Sequence, residues 1–224
     1  MKFKDRKTFL RVREAVLPSM TEDTGNPNFI RQKRLLSIIL AGLMAAVWMM
    51  LPAHIAAAET ASGGENVLIV YYSRTGNTRA MANHVQAFTG GDIVELEPAE
   101  PYPAEYRATT EQAKKELEAD FKPPLKVTVD DIAPYDVIFV GSPCWWGTFA
   151  SPVRTFLSQH DFSGKKLVPF ITHEGSGMGK STEDLKSLCP QAVMFEGLAV
   201  RGREAENAKP QIEQWLKQMG MIRS

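Results

Sequence analysis

The sequence has little cysteine and little histidine, and neither sign of charge is in excess. Its 224 residues include two Cys and four His, and 26 Lys and Arg balance 26 Asp and Glu. Two cysteines exclude a disulfide-rich scaffold, and a hydrophobic content of 44% excludes disorder as the main state. Residues 1–58 carry nine basic and four acidic residues, which leaves 17 and 22 for residues 59–224. A mildly acidic folded part without a basic stripe argues against nucleic acid as a partner.

The N-terminal segment, residues 1–58, has the features of an export signal. Arg31–Arg34 precede the uncharged apolar run Leu35–Leu51, and Ala56–Ala58 offer small residues for cleavage. This pattern predicts a secretory signal peptide with an extended N-terminal region, and therefore a periplasmic or extracellular protein. The alternative is an uncleaved anchor, since 17 apolar residues reach the lower limit for a membrane span. The membrane would then be contacted only through this signal, and Sec and twin-arginine export both stay open.

Residues 59–66 are predicted to form a short linker and residues 67–224 a domain. Along the domain, apolar runs of strand length alternate with helical patterns. Apolar runs of strand length occur at Val67–Tyr72, Ile93–Leu96, Asp136–Val140, Lys166–Thr172 and Ala192–Phe195, with Leu198–Val200 as an optional continuation. Helical patterns occur at Gly76–Phe88, Ala104–Ala119, Pro152–Gln159, Ser181–Leu188 and Ala205–Met219. Strands too apolar to face water must be covered on both faces by helices. We therefore predict one α/β domain, a three-layer sandwich around a parallel sheet.

The first of three unusual loops follows the first predicted strand. It consists of Ser73, Arg74, Thr75, Gly76, Asn77 and Thr78. Three hydroxyls and a run of backbone N–H groups at a helix N-terminus favour a phosphate, because unpaired donors and the helix dipole both attract an anion. The alternative is an N-cap followed by a tight turn, which needs fewer hydroxyls.

The second loop follows the third predicted strand. After Gly141 it contains Ser142, Pro143, Cys144, Trp145, Trp146 and Gly147. Two adjacent Trp residues cannot both point into the core from a loop, so at least one lies at the surface or against a flat ligand. The alternative is that both rings cover the edge of the sheet.

The third loop follows the fourth predicted strand and is rich in glycine. It begins with Thr172, His173, Glu174, Gly175, Ser176 and Gly177. Gly179–Ser181 resemble the end of a Walker A motif. Glu174 stands where that motif requires its first glycine, and this departure excludes a nucleoside triphosphatase. A flexible loop whose backbone N–H groups border a ligand is the better interpretation.

Thiol and metal chemistry find little support in the sequence. Cys144 follows one strand and Cys189 precedes another, so the two lie at opposite ends of the sheet and are predicted to be free thiols. The histidines are scattered without metal-ligand spacing, and we predict no metal site. A C-x5-R phosphatase would need Arg at position 150, which is Ala150.

The three loops together resemble those of the flavodoxin family, over Val67 to about Met219. Ser73–Thr78 resembles the phosphate loop, whereas Gly141–Gly147 and Thr172–Gly177 resemble the two loops that flank the flavin. The resemblance implies a five-stranded parallel sheet of order 2-1-3-4-5 and one non-covalently bound FMN.

The resemblance also implies a placement for the cofactor. The phosphate would lie on the first loop, and the isoalloxazine between the second and third loops, beside Trp145 or Trp146. The polar edge of the ring would meet backbone groups of Trp146, Gly147, Gly175 and Ser176. Glu174 near the ring would disfavour an anionic reduced flavin and lower its potential.

The function implied is that of an FMN-dependent redox protein, either an electron carrier or a small oxidoreductase that uses NAD(P)H or a quinone. Its partner would be a redox protein or a small-molecule electron donor or acceptor. No residue identifies a proton donor, so no catalytic residue is assigned. The alternative is a non-catalytic module that uses the same fold to bind a phosphorylated ligand or a protein partner.

Overall fold

The computed structural model describes residues 65–223, which form an α/β domain. The predictions for residues 1–58 and for most of the linker lie outside the described residues. Within 65–223, no helix has the length and apolar character needed to cross a membrane.

Helices and strands alternate along most of the domain, and two of its strand pairings are antiparallel. The strands are β1 (Val67–Tyr71), β2 (Asp92–Glu95), β3 (Glu97–Pro98), β4 (Leu125–Val127), β5 (Val137–Trp145), β6 (Thr148–Phe149), β7 (Lys166–His173), β8 (Val193–Met194) and β9 (Leu198–Arg201). The helices are α1 (Asn77–Thr89), α2 (Tyr106–Glu118), α3 (Ser151–Gln159), α4 (Ser181–Leu188), a 3₁₀ helix (Gly202–Asn207) and α5 (Lys209–Gln218).

The central sheet has the strand order that the resemblance implied. Its strands run β2-β1-β5-β7, and both β8 and β9 pair with β7 at the outer position. These pairings are all parallel. If β8 and β9 are counted as two parts of one strand, the order is 2-1-3-4-5, which confirms the predicted topology. The parallel arrangement brings the carboxyl ends of β1, β5 and β7 to one edge of the sheet.

Both faces of the sheet are covered, and β1 contributes to the core on each side because its successive side chains point to opposite faces. Leu68 and Val70 belong to the core on the α3 and α4 side, whereas Ile69 and Tyr71 belong to the core on the α1 and α5 side. Trp215 of α5 belongs to this second core. Its ring packs edge to face against Phe139, with the two ring centroids 5.8 Å apart. The predicted three-layer sandwich is confirmed.

Two predicted elements are divided in the structure. The fifth strand is interrupted at residues 195–197, where a Cβ on Gly197 would lie 2.6 Å from the side chain of Met178. The backbone at Gly197 therefore lies too close to Met178 for any side chain at this position. The predicted helix at Ala205–Met219 is a 3₁₀ helix followed by α5, which starts afresh at Lys209 with Pro210 in its first turn, a position that suits proline.

The pairing of β3 with β4 was not predicted. Pro98, Pro101 and Pro103 obscured the strand pattern there, because proline cannot donate to a sheet ladder. The two-stranded sheet is antiparallel and has a register shift at Glu97 and Pro98. It lies outside the central sheet, and its two strands precede and follow α2 in the chain.

Candidate functional site

A cavity of about 480 Å³ opens at the edge where β1, β5 and β7 end. All three loops singled out in the sequence contribute to its walls. Its lining residues are Arg74, Thr75, Asn77, Thr78, Tyr106, Pro143, Cys144, Trp145, Thr172, His173, Glu174, Gly175, Ser176 and Gly202. Ligands of open parallel sheets bind in this position, beyond the carboxyl ends of the strands.

Most of the predicted site residues line this cavity, and six of them do not. Those outside its lining are Ser73, Gly76, Ser142, Trp146, Gly147 and Gly177. Two lining residues were missed by the sequence analysis. Tyr106 begins α2 after a proline-rich segment, and Gly202 follows β9. A Cβ at Gly202 would lie 2.4 Å from Asn77 Nδ2 and 2.6 Å from Glu174 Oε1, so the absent side chain leaves room for both residues.

The first loop presents the N-terminus of α1 to the cavity. Gly76 has a φ of +94°, a left-handed conformation that glycine adopts readily. Its N–H donates to Ser73 Oγ at 3.2 Å. Among the described residues no side chain caps α1, and the first turn holds no acidic residue. The N–H groups and the positive end of the helix dipole therefore suit an anion at this point.

A hydroxyl pair joins the first loop to the third. Thr78 Oγ1 and Thr172 Oγ1 lie 2.8 Å apart, and both residues are buried. A buried hydroxyl is costly without a partner, so this contact fixes the relative position of β7 and the start of α1. The two loops therefore form one wall of the cavity.

Arg74 supports the site from its other side. Its Nη2 donates to the carbonyl oxygens of Ala104 at 2.6 Å and Pro103 at 3.4 Å, in the segment that leads to α2. The guanidinium therefore holds the start of α2 against the first loop, which explains how Tyr106 reaches the cavity.

The second loop differs from the prediction. Residues 141–145 continue β5, and Trp145 and Cys144 pair with Thr148 and Phe149 of β6 in a tight hairpin. The two turn residues, Trp146 and Gly147, have φ values of 52° and 83°. Positive φ at both positions is the mark of a type I′ turn, which favours Asn-Gly. The prediction of an irregular loop at Gly141–Gly147 is therefore wrong. The turn was not recognised because Trp146 stands where this turn type usually has Asn.

The hairpin turn is hydrogen-bonded to the third loop. Lys180 N–H donates to the Gly147 carbonyl at 2.6 Å. A Cβ at Gly179 would lie 2.3 Å from that oxygen, and Gly179 has a φ of +55°. The contact therefore requires glycine at position 179. Thr148 adds a hydrogen bond from its hydroxyl to the Asp184 carboxylate of α4.

The two tryptophans have different surroundings. Trp145 meets Tyr72 and Tyr102 edge to face, with centroids 5.5 Å and 4.9 Å away. Tyr102 donates to the buried Glu116 at 2.5 Å, and burial raises the pKa of both tyrosines above their usual range. Trp146 is 54% exposed, which confirms that at least one of the pair lies at the surface. The packed ring of Trp145 is thus a rigid apolar wall of the cavity.

Both cysteines are free, as predicted. Cys144 is half-buried and lines the cavity. Cys189 is buried away from it, and burial raises the pKa of its thiol to about 12.

The cavity fits a molecule with an anionic end and a flat apolar end. The N-terminus of α1 and the hydroxyls of Thr75 and Thr78 suit a phosphate, whereas Trp145 and the backbone of the third loop suit an aromatic ring with polar edges. FMN has these two parts. A parallel sheet of this order, with a cavity beyond the carboxyl ends of its strands, is the arrangement of the flavodoxin-like class of α/β proteins.

Comparison with known proteins gives the particular family. The family model described as Flavodoxin matches residues 66–219, and this chain belongs to the flavodoxin family. Family membership bears out FMN as the predicted cofactor.

Curated relatives and solved structures are consistent with this assignment. A NAD(P)H dehydrogenase (quinone) from Rhizobium rhizogenes is 31% identical over 144 residues, which cover 61% of this chain and 69% of that protein. One of the same description from Cupriavidus metallidurans is 35% identical over 96 residues, which cover 42% and 45%. A candidate flavoprotein from Bacteroides eggerthii is 32% identical with a TM-score of 0.61, covering 70% of this chain and 99% of that one.

A flavoprotein from Lactobacillus acidophilus, solved in complex with FMN, has the same fold. Its TM-score is 0.56 at 23% identity, and the match covers 68% of this chain and 99% of that one. Membership of the flavodoxin family makes the chain a flavodoxin-like flavoprotein, and the non-catalytic binding module considered as an alternative finds no support.

Proposed function

We propose that this chain is an FMN-dependent oxidoreductase that passes electrons from NAD(P)H to a quinone. The observation that carries the proposal is the 480 Å³ cavity, which has an anion site at one end and an aromatic wall at the other. Bound FMN would supply the redox chemistry, accepting and releasing two electrons, while the protein binds it and sets its potential.

The phosphate end of the cofactor would be held mainly by the backbone. The unpaired N–H groups of the first turn of α1 lie at the cavity, and the hydroxyls of Thr75 and Thr78 line it. Arg74 donates to backbone carbonyls of the segment before α2, so its guanidinium positions that part of the chain. Binding of this kind favours FMN over riboflavin, which lacks the phosphate.

The ring end would lie between the hairpin and the third loop. Trp145 offers an apolar face there, and Gly175 and Ser176 bring backbone groups to the same cavity. The Gly175 N–H donates to His173 Nδ1 at 2.9 Å, which fixes the turn. Glu174 lines the cavity as well, and its carboxylate would disfavour negative charge on the reduced ring.

The choice of an enzyme over a one-electron carrier rests on the relatives described as NAD(P)H dehydrogenase (quinone). A second cavity beside the first also favours an enzyme, because a small substrate needs space next to the cofactor. For residues 1–58 we keep the proposal of a signal peptide and export, which cell fractionation with an antibody to the domain would test.

The first experiment is an absorption spectrum of the purified full-length chain, followed by titration of the cofactor-free protein with FMN and with riboflavin. We expect a flavin spectrum and tighter binding of FMN than of riboflavin. The variant Thr75→Ala, at an exposed position, should reduce the preference for FMN and leave riboflavin binding nearly unchanged. Equal affinities for the two flavins in the wild type would contradict the phosphate assignment.

A second measurement separates enzyme from carrier. The loaded protein is mixed with NADH or NADPH and 1,4-naphthoquinone, and nicotinamide oxidation is recorded. Turnover with the quinone is expected. Reduction only by a protein donor, without reaction with either nicotinamide, would favour the carrier.

A further inference from the structure

A second cavity, of about 340 Å³, adjoins the cofactor cavity. It is lined by Arg74, Tyr106, Thr109, Thr110, Ala113, Cys144, Trp145 and Trp146. Four of these, Arg74, Tyr106, Cys144 and Trp145, line both cavities, so a molecule in one borders the other. The remaining four belong to α2 and the hairpin turn. We call this space the α2 cavity.

The walls of the α2 cavity are largely aromatic. Tyr106 from the start of α2 is 73% exposed and Trp146 from the hairpin turn is 54% exposed, while Trp145 is packed against the core. Exposed aromatic rings beside a cavity of this volume suit a flat apolar ligand. The ring of Trp146 is also fixed in place, because its Nε1–H donates to the Thr110 carbonyl at 2.9 Å.

Trp146 occupies a backbone conformation that disfavours it. Its φ of 52° is rare for a bulky side chain. Asn would fit the same turn position with less strain, as in the common Asn-Gly turn. Backbone strain of this kind concentrates at functional sites, and it gives an observation independent of the cavity itself.

Positive charge lies at the rim of the α2 cavity. The ammonium of Lys114 is 5.4 Å from the centroid of the Trp146 ring, and Arg74 lines the cavity. Arg107 on the same helix is paired with Glu111 at 3.5 Å, so their charges largely cancel. Lys114 is in turn paired with Glu118 at 3.7 Å. Arg74, whose Nη2 donates to backbone carbonyls, is therefore the cation at the wall of the cavity. Its charge favours a ligand whose oxygen atoms gain negative charge during the reaction.

We propose that the α2 cavity binds the electron acceptor, a quinone of one or two rings, with Trp146 as the residue that positions it. This inference rests on the proposed function and adds the place of the substrate. Conversion of the quinone to its hydroquinone consumes two electrons and two protons. Both electrons and one proton come, as a hydride, from the reduced cofactor, and the second proton comes from water.

The test measures binding of 1,4-naphthoquinone to the full-length chain loaded with oxidised FMN, by isothermal titration calorimetry. No electron transfer takes place under these conditions, so the readout is affinity alone. The variant Trp146→Asn removes the ring and leaves an Asn-Gly turn, which keeps the hairpin. We expect the Kd for naphthoquinone to rise about 3- to 10-fold, with the Kd for FMN unchanged.

Two further variants strengthen the test. Thr110→Phe fills the α2 cavity from the helix and should also weaken naphthoquinone binding, by a steric route. Phe121→Asn removes an aromatic residue that is 52% exposed and lines neither cavity, so it serves as the matched control. Its naphthoquinone affinity should equal that of the wild type.

The outcomes separate this inference from the proposed function. A chain that takes up no FMN contradicts the proposed function. An FMN-loaded chain whose naphthoquinone affinity is unaffected by Trp146→Asn contradicts the inference alone. An equal loss of FMN and naphthoquinone affinity in Trp146→Asn also overturns it, because the α2 cavity would then be part of the cofactor site.

Discussion

Thr78, in the first turn of α1, and Thr172, near the end of β7, are 94 residues apart in the chain, yet their hydroxyl oxygens lie 2.8 Å from each other in the interior of the protein. This contact joins the helix end proposed to hold the phosphate to the loop proposed to border the ring. The geometry of the cofactor cavity therefore depends on a buried polar pair.

The Thr pair can be tested by a double-mutant cycle. Thr172→Val removes one hydroxyl and leaves the other buried without a partner, so we expect a loss of about 1–3 kcal/mol in the free energy of unfolding. Thr78→Val with Thr172→Val replaces both groups by apolar ones of similar shape and should restore most of that loss. Urea unfolding of the cofactor-free protein measures both effects. Additive losses in the double variant would show that the hydroxyls do not interact.

The link between the hairpin and the third loop can be tested at two glycines. Gly179 and Gly177 both have positive φ, but only a Cβ at 179 meets the Gly147 carbonyl, at 2.3 Å. Gly177→Ala should lose about 1–2 kcal/mol of stability from backbone strain alone. Gly179→Ala should lose clearly more, and should weaken FMN binding because the loops move apart. Thermal unfolding and FMN titration check this, and equal effects of the two variants would argue against the link.

The charge at Glu174 can be tested through the redox potential. Its carboxylate lines the proposed ring site and should make reduction to an anionic flavin less favourable. Glu174→Gln should therefore raise the midpoint potential, by an amount on the order of tens of millivolts. Glu183→Gln is the control, because Glu183 is exposed on α4 and does not line the cavity. Spectroelectrochemical titration gives both values, and an unchanged potential in Glu174→Gln would place the carboxylate away from the ring.

The two thiols should differ in reactivity. Cys144 is half-buried at the cavity, whereas Cys189 is buried and its pKa is raised to about 12. Because the thiolate is the reactive form, a thiol reagent at pH 8 should label Cys144 in the native protein and Cys189 only after unfolding. FMN should slow the labelling of Cys144. Mass spectrometry of the labelled peptides identifies the site, and rapid native labelling of Cys189 would contradict its burial.

The thiol of Cys189 also predicts a dependence of stability on pH. The ordinary pKa of 9.0 is raised to about 12 in the folded protein. Between these values the unfolded chain loses the proton that the native chain keeps, so this thiol lowers the free energy of unfolding as the pH rises. The limit is about 1.4 kcal/mol per pH unit. In urea unfolding above pH 9, Cys189→Ala should show a shallower decline than the wild type, and parallel curves would contradict the assignment.

Local patterns in the sequence predicted the central architecture well. The continuous apolar runs identified β1, β5 and β7, because strands buried on both faces need no polar alternation. The cluster of hydroxyls at Ser73–Thr78 likewise pointed to the helix N-terminus that we propose as the phosphate site, since the hydroxyls and the helix start are adjacent in sequence. The three loops meet because parallel strands end at one edge.

Features that depend on close approach in space could not be predicted. Trp146 gave no turn signal, so the extension of β5 into a hairpin was missed. Tyr106 lines the cavity because Arg74 hydrogen-bonds to the segment that precedes it. Gly202 lines the cavity because it lies next to Asn77 and Glu174. These relationships join distant parts of the chain and leave no periodic pattern.

The division of the two cavities between different elements has a consequence for protein engineering. Most walls of the larger cavity come from loops anchored in the central sheet, whereas Thr109, Thr110, Ala113 and Trp146, the walls unique to the smaller one, come from α2 and the hairpin turn. A library of substitutions at these four positions leaves the strand ends unaltered. Selectivity among small oxidants could therefore be redesigned on one helix and one turn of the molecule, with the cofactor chemistry kept constant.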